Sequence, residues 1–343
     1  MRRLLNTLYV TLPDVYLSLD GENVVVLQDS EILMRVPLHN LEGIITFGYT
    51  GASPALMGAC AEKGITLTFL TASGRFLANV TGMEKGNVTL RKTQYRRSDN
   101  ETESIAIARN ILIGKLHNSR WVLERAIRDH ALRIDAEKVK RASEQISNSI
   151  PLLKQVRTSG ELFGIEGEAA SRYFSAFNEL ILHNKKHFYF HSRSRRPPLD
   201  NVNAMLSFAY TLLERDATAA LCTVGLDPYV GFLHKDRPGR RSLALDLLEE
   251  LRAPLADRFV LTLINTRQID SSGFYLKENG AVLMCDDTRK AFLSAWQTRK
   301  SEKISHPFLK EKIEWGLVAH AQALLLARTL RGDLDEYPPF LWK

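Results

Sequence analysis

The chain has 343 residues, 45% of them apolar and 25% charged, which is the balance of a soluble globular protein long enough for two domains and a substantial core. No apolar run reaches the roughly 18 residues of a membrane span, and the three scattered cysteines, Cys60, Cys222 and Cys285, exclude a disulfide framework or thiolate zinc site and fit a reducing cytoplasm. A formal net charge of +7 favours a polyanionic partner without requiring one. The opening Met1-Arg2-Arg3-Leu4-Leu5 begins like a signal peptide. It runs directly into Asn6, Thr7 and an alternating pattern, so it reads as part of the fold.

Short apolar or alternating runs at Thr7–Leu12, Val15–Leu19, Val24–Leu27, Ile32–Leu38 and Ile44–Phe47 predict strands. Pro13-Asp14, Asp20-Gly21 and Asp29-Ser30 supply turn chemistry between them. Ser53 and Pro54 are a cap and first helical residue for a helix over Ser53–Lys63. Strands at Ile65–Leu70 and Phe76–Val80 complete a β-rich domain over residues 1–85, whose exposed strand edges suggest pairing with a second copy. Residues 86–100, with Arg91, Lys92, Arg96 and Arg97 around Tyr95, read as a basic linker. From about Glu101 the period becomes helical, with Ile105, Ala108, Ile111, Leu112 and Leu116 in one stripe. Further helical patterns cover Gly167–Leu182, Val202–Thr223, Ser242–Leu263, Arg289–Lys300 and Phe308–Leu330. The expected fold is α+β, a small N-terminal β-rich domain followed by a larger all-α domain over residues 101–343.

Three places in the helical region put acids or histidine in unusual company. Glu166 stands between glycines at an expected helix start, either admitting a phosphate or simply complementing the helix dipole. His234 ends the apolar stretch Gly231-Phe232-Leu233, just before a polar turn, where packing is the plain alternative. Asp246, Glu249 and Glu250 follow the helical stripe of Leu243, Leu247 and Leu251. Carboxylates at that spacing repel unless Arg252 or a metal joins them, or they form a solvated face. Carboxylates with one imidazole suit Mg²⁺ or Mn²⁺ acting on phosphodiesters. A rival metal set, His183, His187 and His191, lies among Lys185, Lys186, Arg193, Arg195 and Arg196 with no acid. That basic segment, interleaved with Phe188, Tyr189 and Phe190, suits a nucleic-acid backbone and its bases better than a cation, unless it is an ordinary solvated loop.

Four blocks in order, GIEGEAASRYFSAF (164–177), PPLDNVNAMLSFAYTLL (197–213), GLDPYVGFLH (225–234) and SLALDLLEELR (242–252), resemble the CRISPR-associated adaptation integrases, the "Cas-one" family. The ending over residues 306–343 is similar to subtype I-C. The resemblance implies that Glu166, His234 and Glu249 are the metal ligands, with Mg²⁺ or Mn²⁺ as cofactor. It makes Asp246 a further active-site acid, Asn203 an asparagine of the site, and Arg252 a basic position that is lysine in some relatives. The implied activity is insertion of short duplex DNA into a CRISPR repeat array by 3′-hydroxyl attack on phosphodiesters, falling at acid pH because a ligating histidine is neutral. The implied assembly is two homodimers bridged by a dimer of a small "Cas-two" partner, with double-stranded DNA as substrate and no membrane. A stand-alone metal-dependent nuclease for branched DNA and a non-catalytic DNA-binding scaffold are the alternatives. Arg91, Lys92, Arg96 and Arg97, with Lys185, Lys186, Arg193, Arg195 and Arg196, are the expected DNA contacts.

Overall fold

The computed structural model describes residues 7–41, 43–48, 50–71, 76–80, 82 and 88–343. The opening residues 1–6 and the first two residues of the expected linker, 86 and 87, lie outside the described residues. The first elements are β1 (Thr7–Val10), β2 (Tyr16–Asp20), β3 (Asn23–Gln28), β4 (Glu31–Pro37), β5 (Gly43–Phe47), β6 (Gly51–Ala52), α1 (Pro54–Lys63), β7 (Thr66–Leu70) and β8 (Phe76–Val80). Helices follow: α2 (Val88–Asp99), α3 (Glu101–His130), α4 (Ala136–Leu153), α5 (Ser159–Phe177), α6 (Asn201–Val224), α7 (Ser242–Leu251) and α8 (Arg258–Asn265). The chain ends with β9 (Phe274–Leu276), β10 (Val282–Met284), α9 (Asp286–Ser301), β11 (Lys303–Ser305), β12 (Lys312–Glu314) and α10 (Trp315–Arg331). A β-rich N-terminal region is thus followed by a helical one.

The chain divides into two compact units: Met1–Lys85 with Cys285–Ser301, and Gly86–Met284 with Glu302–Lys343. The first contains two four-stranded sheets, β1-β5-β7-β8 and β4-β3-β2-β6. β2, β3 and β4 are antiparallel, and the β3–β4 turn places Asp29 and Ser30 both at positive φ, the backbone twist that a two-residue hairpin requires. Ser53 caps α1 by accepting from the Leu56 N–H at 3.2 Å, with Pro54 in the first turn, as its sequence predicts. Leu17, Val24, Leu38, Ile44, Leu56, Cys60 and Leu67 close the core of this unit. On β4, by contrast, Ile32, Leu33 and Met34 are about half exposed.

In the second unit the thirty-residue α3 packs against α4, α5 and α7, and the buried α6 packs against α7 and α10. Two parts of the expected organisation differ. The described part of the expected linker is not extended: Val88–Asp99 is helix, because buried Gln94 donates to the Asp227 and Val230 carbonyls and accepts from the Asp227 N–H, anchoring α2 to the loop after α6. The helix expected near Arg289–Lys300 belongs with the first unit, and the second unit carries the β9–β10 and β11–β12 hairpins, so it is not all-α. The stripe expected over Ser242–Leu263 is also broken. At Pro254, which has no N–H to donate, the chain opens into a wide π turn over Arg252–Asp257 between α7 and α8.

Candidate active site

The site is built on α7. Leu243, Leu247 and Leu251 are buried as their spacing predicts, but so are Asp246, Glu249 and Glu250, which excludes a solvated acidic face. Asp246 closes the preceding loop onto the helix, accepting the backbone N–H groups of Phe232 (2.6 Å), Leu233 (3.0 Å) and His234 (2.9 Å). Gly231 allows this approach: a Cβ there would lie 2.8 Å from Asp246 Oδ2 and 2.9 Å from the His234 carbonyl oxygen. The fourth partner of Asp246 is the His234 ring, with Nδ1 2.7 Å from Oδ1. An acceptor on Nδ1 places the ring proton there and leaves the Nε2 lone pair available, 3.8 Å from Glu249 Oε1. Asp246 therefore positions the histidine, all its acceptor capacity being turned toward the loop.

Glu249 is the hub. Its Oε1 meets Arg252 Nη1 at 3.0 Å and its Oε2 meets Lys115 Nζ at 2.8 Å. Burial alone would raise its pKa, but the charges of Arg252 and Lys115 outweigh it and hold the carboxyl at about 2. Lys115, on α3, also pairs with Glu166 of α5. Glu166 does not open that helix, as its flanking glycines suggested. The start lies at Thr158, whose hydroxyl accepts from the Glu161 N–H while Glu161 accepts from the Thr158 N–H, so Glu166 projects from mid-helix.

Among the described residues no group of three or more His, Cys, Asp or Glu side chains stands ready to hold a metal ion. The cause is visible in the ion pairs, since the Lys115 ammonium lies between the carboxylates of Glu166 and Glu249. The donor set nonetheless fits a divalent metal. Two carboxylates converge on one positive charge, buried Glu249 Oε2 accepts no well-aligned hydrogen bond, and an oriented imidazole nitrogen stands beside them. This is the oxygen-rich, single-imidazole chemistry of Mg²⁺ or Mn²⁺ sites.

Lys115, Glu166, Glu249 and Arg252 line a cavity of about 40 Å³ with Arg195, Tyr173, Tyr210 and Asp257. Asp257 accepts from the Tyr210 hydroxyl at 2.5 Å and the Tyr173 hydroxyl at 3.0 Å, and Arg193 and Arg252 lie over the Tyr210 ring at 5.2 and 5.1 Å. Burial pushes the Asp257 carboxyl up to about 6, against the opposing pull of both tyrosines and both arginines. The π turn delivers Arg252 and Asp257 to this cavity.

Glu250 faces the other way. It accepts from the Tyr337 hydroxyl at 2.6 Å, the Gln322 amide at 3.1 Å and the Phe340 N–H, while Asn118 donates at 2.7 Å to the carbonyls of both Glu250 and Phe340. The last residues are thus strapped across α3 and α7, behind the face that carries Glu249.

A family model described as "CRISPR associated protein Cas1" matches residues 8–298. The chain is 51% identical, over its whole length and the whole of the relative, to the CRISPR-associated endonuclease Cas1 1 of Chlorobaculum tepidum. The chain belongs to the Cas1 family. Its fold is shared with a casposase bound to integration product (TM-score 0.82, 24% identity, 98% of this chain and 93% of that one). It is shared as well with a chain of a Cas6-RT-Cas1–Cas2 complex (TM-score 0.81, 23% identity, 98% of this chain and 36% of that one).

Within this Cas1 fold the expected DNA contacts separate into two kinds. Asn203 is fully buried and satisfied: its Oδ1 accepts from Arg193 (2.7 Å) and the Ser194 N–H (3.1 Å), and its Nδ2 donates to the Ser192 carbonyl and Asp200. It anchors a loop, its amide fully engaged within the chain. Arg193 is held there too, with a further bond to Ser207. Arg91 donates to the Gly225 carbonyl, and Arg97 pairs with Glu103 at 3.1 Å. Lys92, Arg96, Lys185, Lys186, Arg195 and Arg196 are exposed. Phe188 and Phe190 are core residues, Phe190 stacking on Phe174 at 5.4 Å, which leaves Tyr189 as the exposed ring of that trio. The segment around His183, His187 and His191 has no helix to align its imidazoles. Sequence reasoning missed Lys115, Tyr173, Tyr210 and Asp257. Lys115 was visible only as a lone cation on an otherwise apolar stretch of the α3 pattern.

Proposed function

We propose that this chain is the metal-dependent DNA integrase and endonuclease of a CRISPR adaptation system, inserting short duplex DNA into a repeat array. One observation carries the reading: Glu166 and Glu249 converge on a single cation beside His234 Nε2, which Asp246 keeps oriented. Glu166, Glu249 and His234 would hold Mg²⁺ or Mn²⁺. When bound, such an ion withdraws charge from the phosphoryl oxygens and lowers the cost of forming the attacking and leaving oxyanions.

The chain's own residues do the rest. Asp246 keeps His234 in the tautomer a ligand needs. Arg252 and Arg195 supply positive charge for a phosphodiester at the cavity, and the apolar walls around them strengthen that attraction by limiting water.

The Chlorobaculum relative is named an endonuclease, and the fold is shared with a casposase bound to its integration product and with a Cas1–Cas2 complex. These favour DNA as substrate and a small Cas2 dimer as partner, bridging two homodimers. The ending over residues 306–343 favours subtype I-C. For the homodimer contact we assign β4, where Ile32, Leu33 and Met34 stand on an edge strand with apolar side chains half exposed.

The test is insertion of a labelled duplex into a repeat-bearing plasmid with Mg²⁺ or Mn²⁺, with and without the small partner. Partner-dependent insertion supports the reading. Metal-dependent cleavage of branched DNA without insertion favours the stand-alone nuclease, and DNA binding with neither activity favours the scaffold.

A further inference from the structure

The two acids at the heart of the site are matched by two cations, and those cations are held very differently. Arg252 is fixed. Its guanidinium pairs with Glu249 at 3.0 Å and lies over the Tyr210 ring, so it is braced from two sides. Lys115 is a point charge on a flexible four-carbon stem, and its ammonium touches Glu166 and Glu249. It also lines the cavity that Arg195 and Arg252 line, so it has somewhere to go. With Lys115 in place the two carboxylates and two cations balance. A divalent ion added to that set would leave an excess of two positive charges, and its preferred oxygens are those the ammonium already occupies.

Resting on the metal reading above, we propose that Lys115 is the site's resident counter-ion and the metal's direct competitor. Its ammonium neutralises Glu166 and Glu249 in the metal-free protein, leaves them when the ion binds, and turns into the cavity toward the phosphate of bound DNA. Metal and DNA then favour one another. The displaced ammonium gains a phosphate partner, and a phosphate that engages Lys115 opens the carboxylates to metal, a coupling that is reciprocal by thermodynamic necessity. The protein alone would hold metal weakly, and the loaded site would assemble on DNA.

The test uses the full-length protein and Mn²⁺ alone, with binding followed by electron paramagnetic resonance. Lys115→Met should bind Mn²⁺ at least about tenfold more tightly than wild type, equivalent to about 1.4 kcal/mol. Lys115→Arg, which keeps the charge, should stay near wild type. A merely structural role for Lys115 gives the opposite sign, a destabilised protein with weaker Mn²⁺ binding. Equal or weaker binding by Lys115→Met overturns the proposal. A second readout needs no variant: reductive methylation of Lys115 in wild-type protein, followed by mass spectrometry, should quicken several-fold on adding Mn²⁺, and an unchanged rate overturns the proposal as well. If neither wild type nor Lys115→Met binds Mn²⁺, the metal reading itself fails and this inference falls with it. Binding by wild type that survives Glu166→Gln removes Glu166 from the ligand set and with it the competition proposed here.

Discussion

Glu249 and Glu250 are consecutive residues on one helix, both withdrawn from solvent, yet the protein treats them in opposite ways. About 100° of helical rotation turns Glu249 toward Arg252, Lys115 and His234, and the positive charge of Arg252 and Lys115 holds it at about 2 against the effect of burial. Glu250 turns toward the C-terminal strap, where it meets hydrogen-bond donors but no cation, and burial dominates and raises it to about 8. Depth of burial therefore does not decide whether an acid is a charge or a hydrogen-bonding brace. The neighbours do. One face of α7 carries the proposed site and the other braces the C-terminal strap, and the two should respond differently to substitution.

The largest expected effect is on the face of the proposed site. Glu166→Gln, His234→Ala and Glu249→Gln should each lower insertion of labelled DNA about a thousandfold or more while leaving a folded protein. Glu249→Ala is a poorer probe, because it strands two buried cations, at a cost of about 3–5 kcal/mol. Glu250→Gln should keep activity within about tenfold of wild type, while Glu250→Ala should cost about 3 kcal/mol in denaturant melts by stranding the Tyr337, Gln322 and Phe340 donors. Equal losses of activity in Glu249→Gln and Glu250→Gln would erase the distinction between the faces. Asp246→Asn falls between them. Asp246 holds the His234 ring at 2.7 Å and would act on a metal through it, so an effect of about 10- to 100-fold on metal affinity or rate is expected.

Much of this was legible in the sequence, and the failures share a cause. The strands, α1 with its Ser53-Pro54 start, and the apolar stripe of α7 are local patterns, set by side-chain alternation, capping and period. Glu166, His234, Asp246 and Glu249 were reached through ordered blocks of sequence. Lys115 and Asp257 belong to the site only because α3 and the π turn bring them there, and no local pattern announces a contact between residues more than fifty or eighty positions apart. Asn203 was misjudged for the same reason: its four partners lie in the preceding loop, and a buried amide that satisfies them looks in sequence like one waiting for a ligand. The basic cluster at 91–97 read as a linker because charge was visible and the anchoring of Gln94 was not.

Asp257 sharpens the comparison, because it lies beside cations yet is held above its ordinary value, at about 6. A carboxyl whose folded pKa is raised contributes stability that is full below its unfolded value of 3.8 and is lost as pH climbs through the folded value. Wild type should therefore lose Tm relative to Asp257→Asn between about pH 4 and pH 7. A difference that stays flat over that range would mean that Arg193 and Arg252 hold Asp257 ionised, as Arg252 and Lys115 hold Glu249.

The smallest effects are expected where charge is not buried, and they divide the basic residues by the same principle of what each already touches. Arg193 is held by Asn203 and Ser207, so Asn203→Ala should cost about 1–3 kcal/mol of stability and leave the salt dependence of DNA binding unchanged. Lys185, Lys186 and Arg196 are exposed, and Arg195 borders the catalytic cavity. Counterion release makes log K fall with log salt by about 0.9 for each phosphate neutralised on duplex DNA. Arg195→Ala, and a double Lys185→Ala, Lys186→Ala variant, should accordingly flatten the slope by roughly 0.9 for each phosphate no longer neutralised, with Tm unchanged, when binding to a labelled duplex is titrated across salt concentrations. Arg195 is the more informative of the two, since it lines the same cavity as Glu166 and Glu249 and a phosphate it held would lie at the proposed site. A wild-type slope in Arg195→Ala would put the DNA on another approach to the cavity, while a wild-type slope in the lysine pair alone would return that loop to solvent.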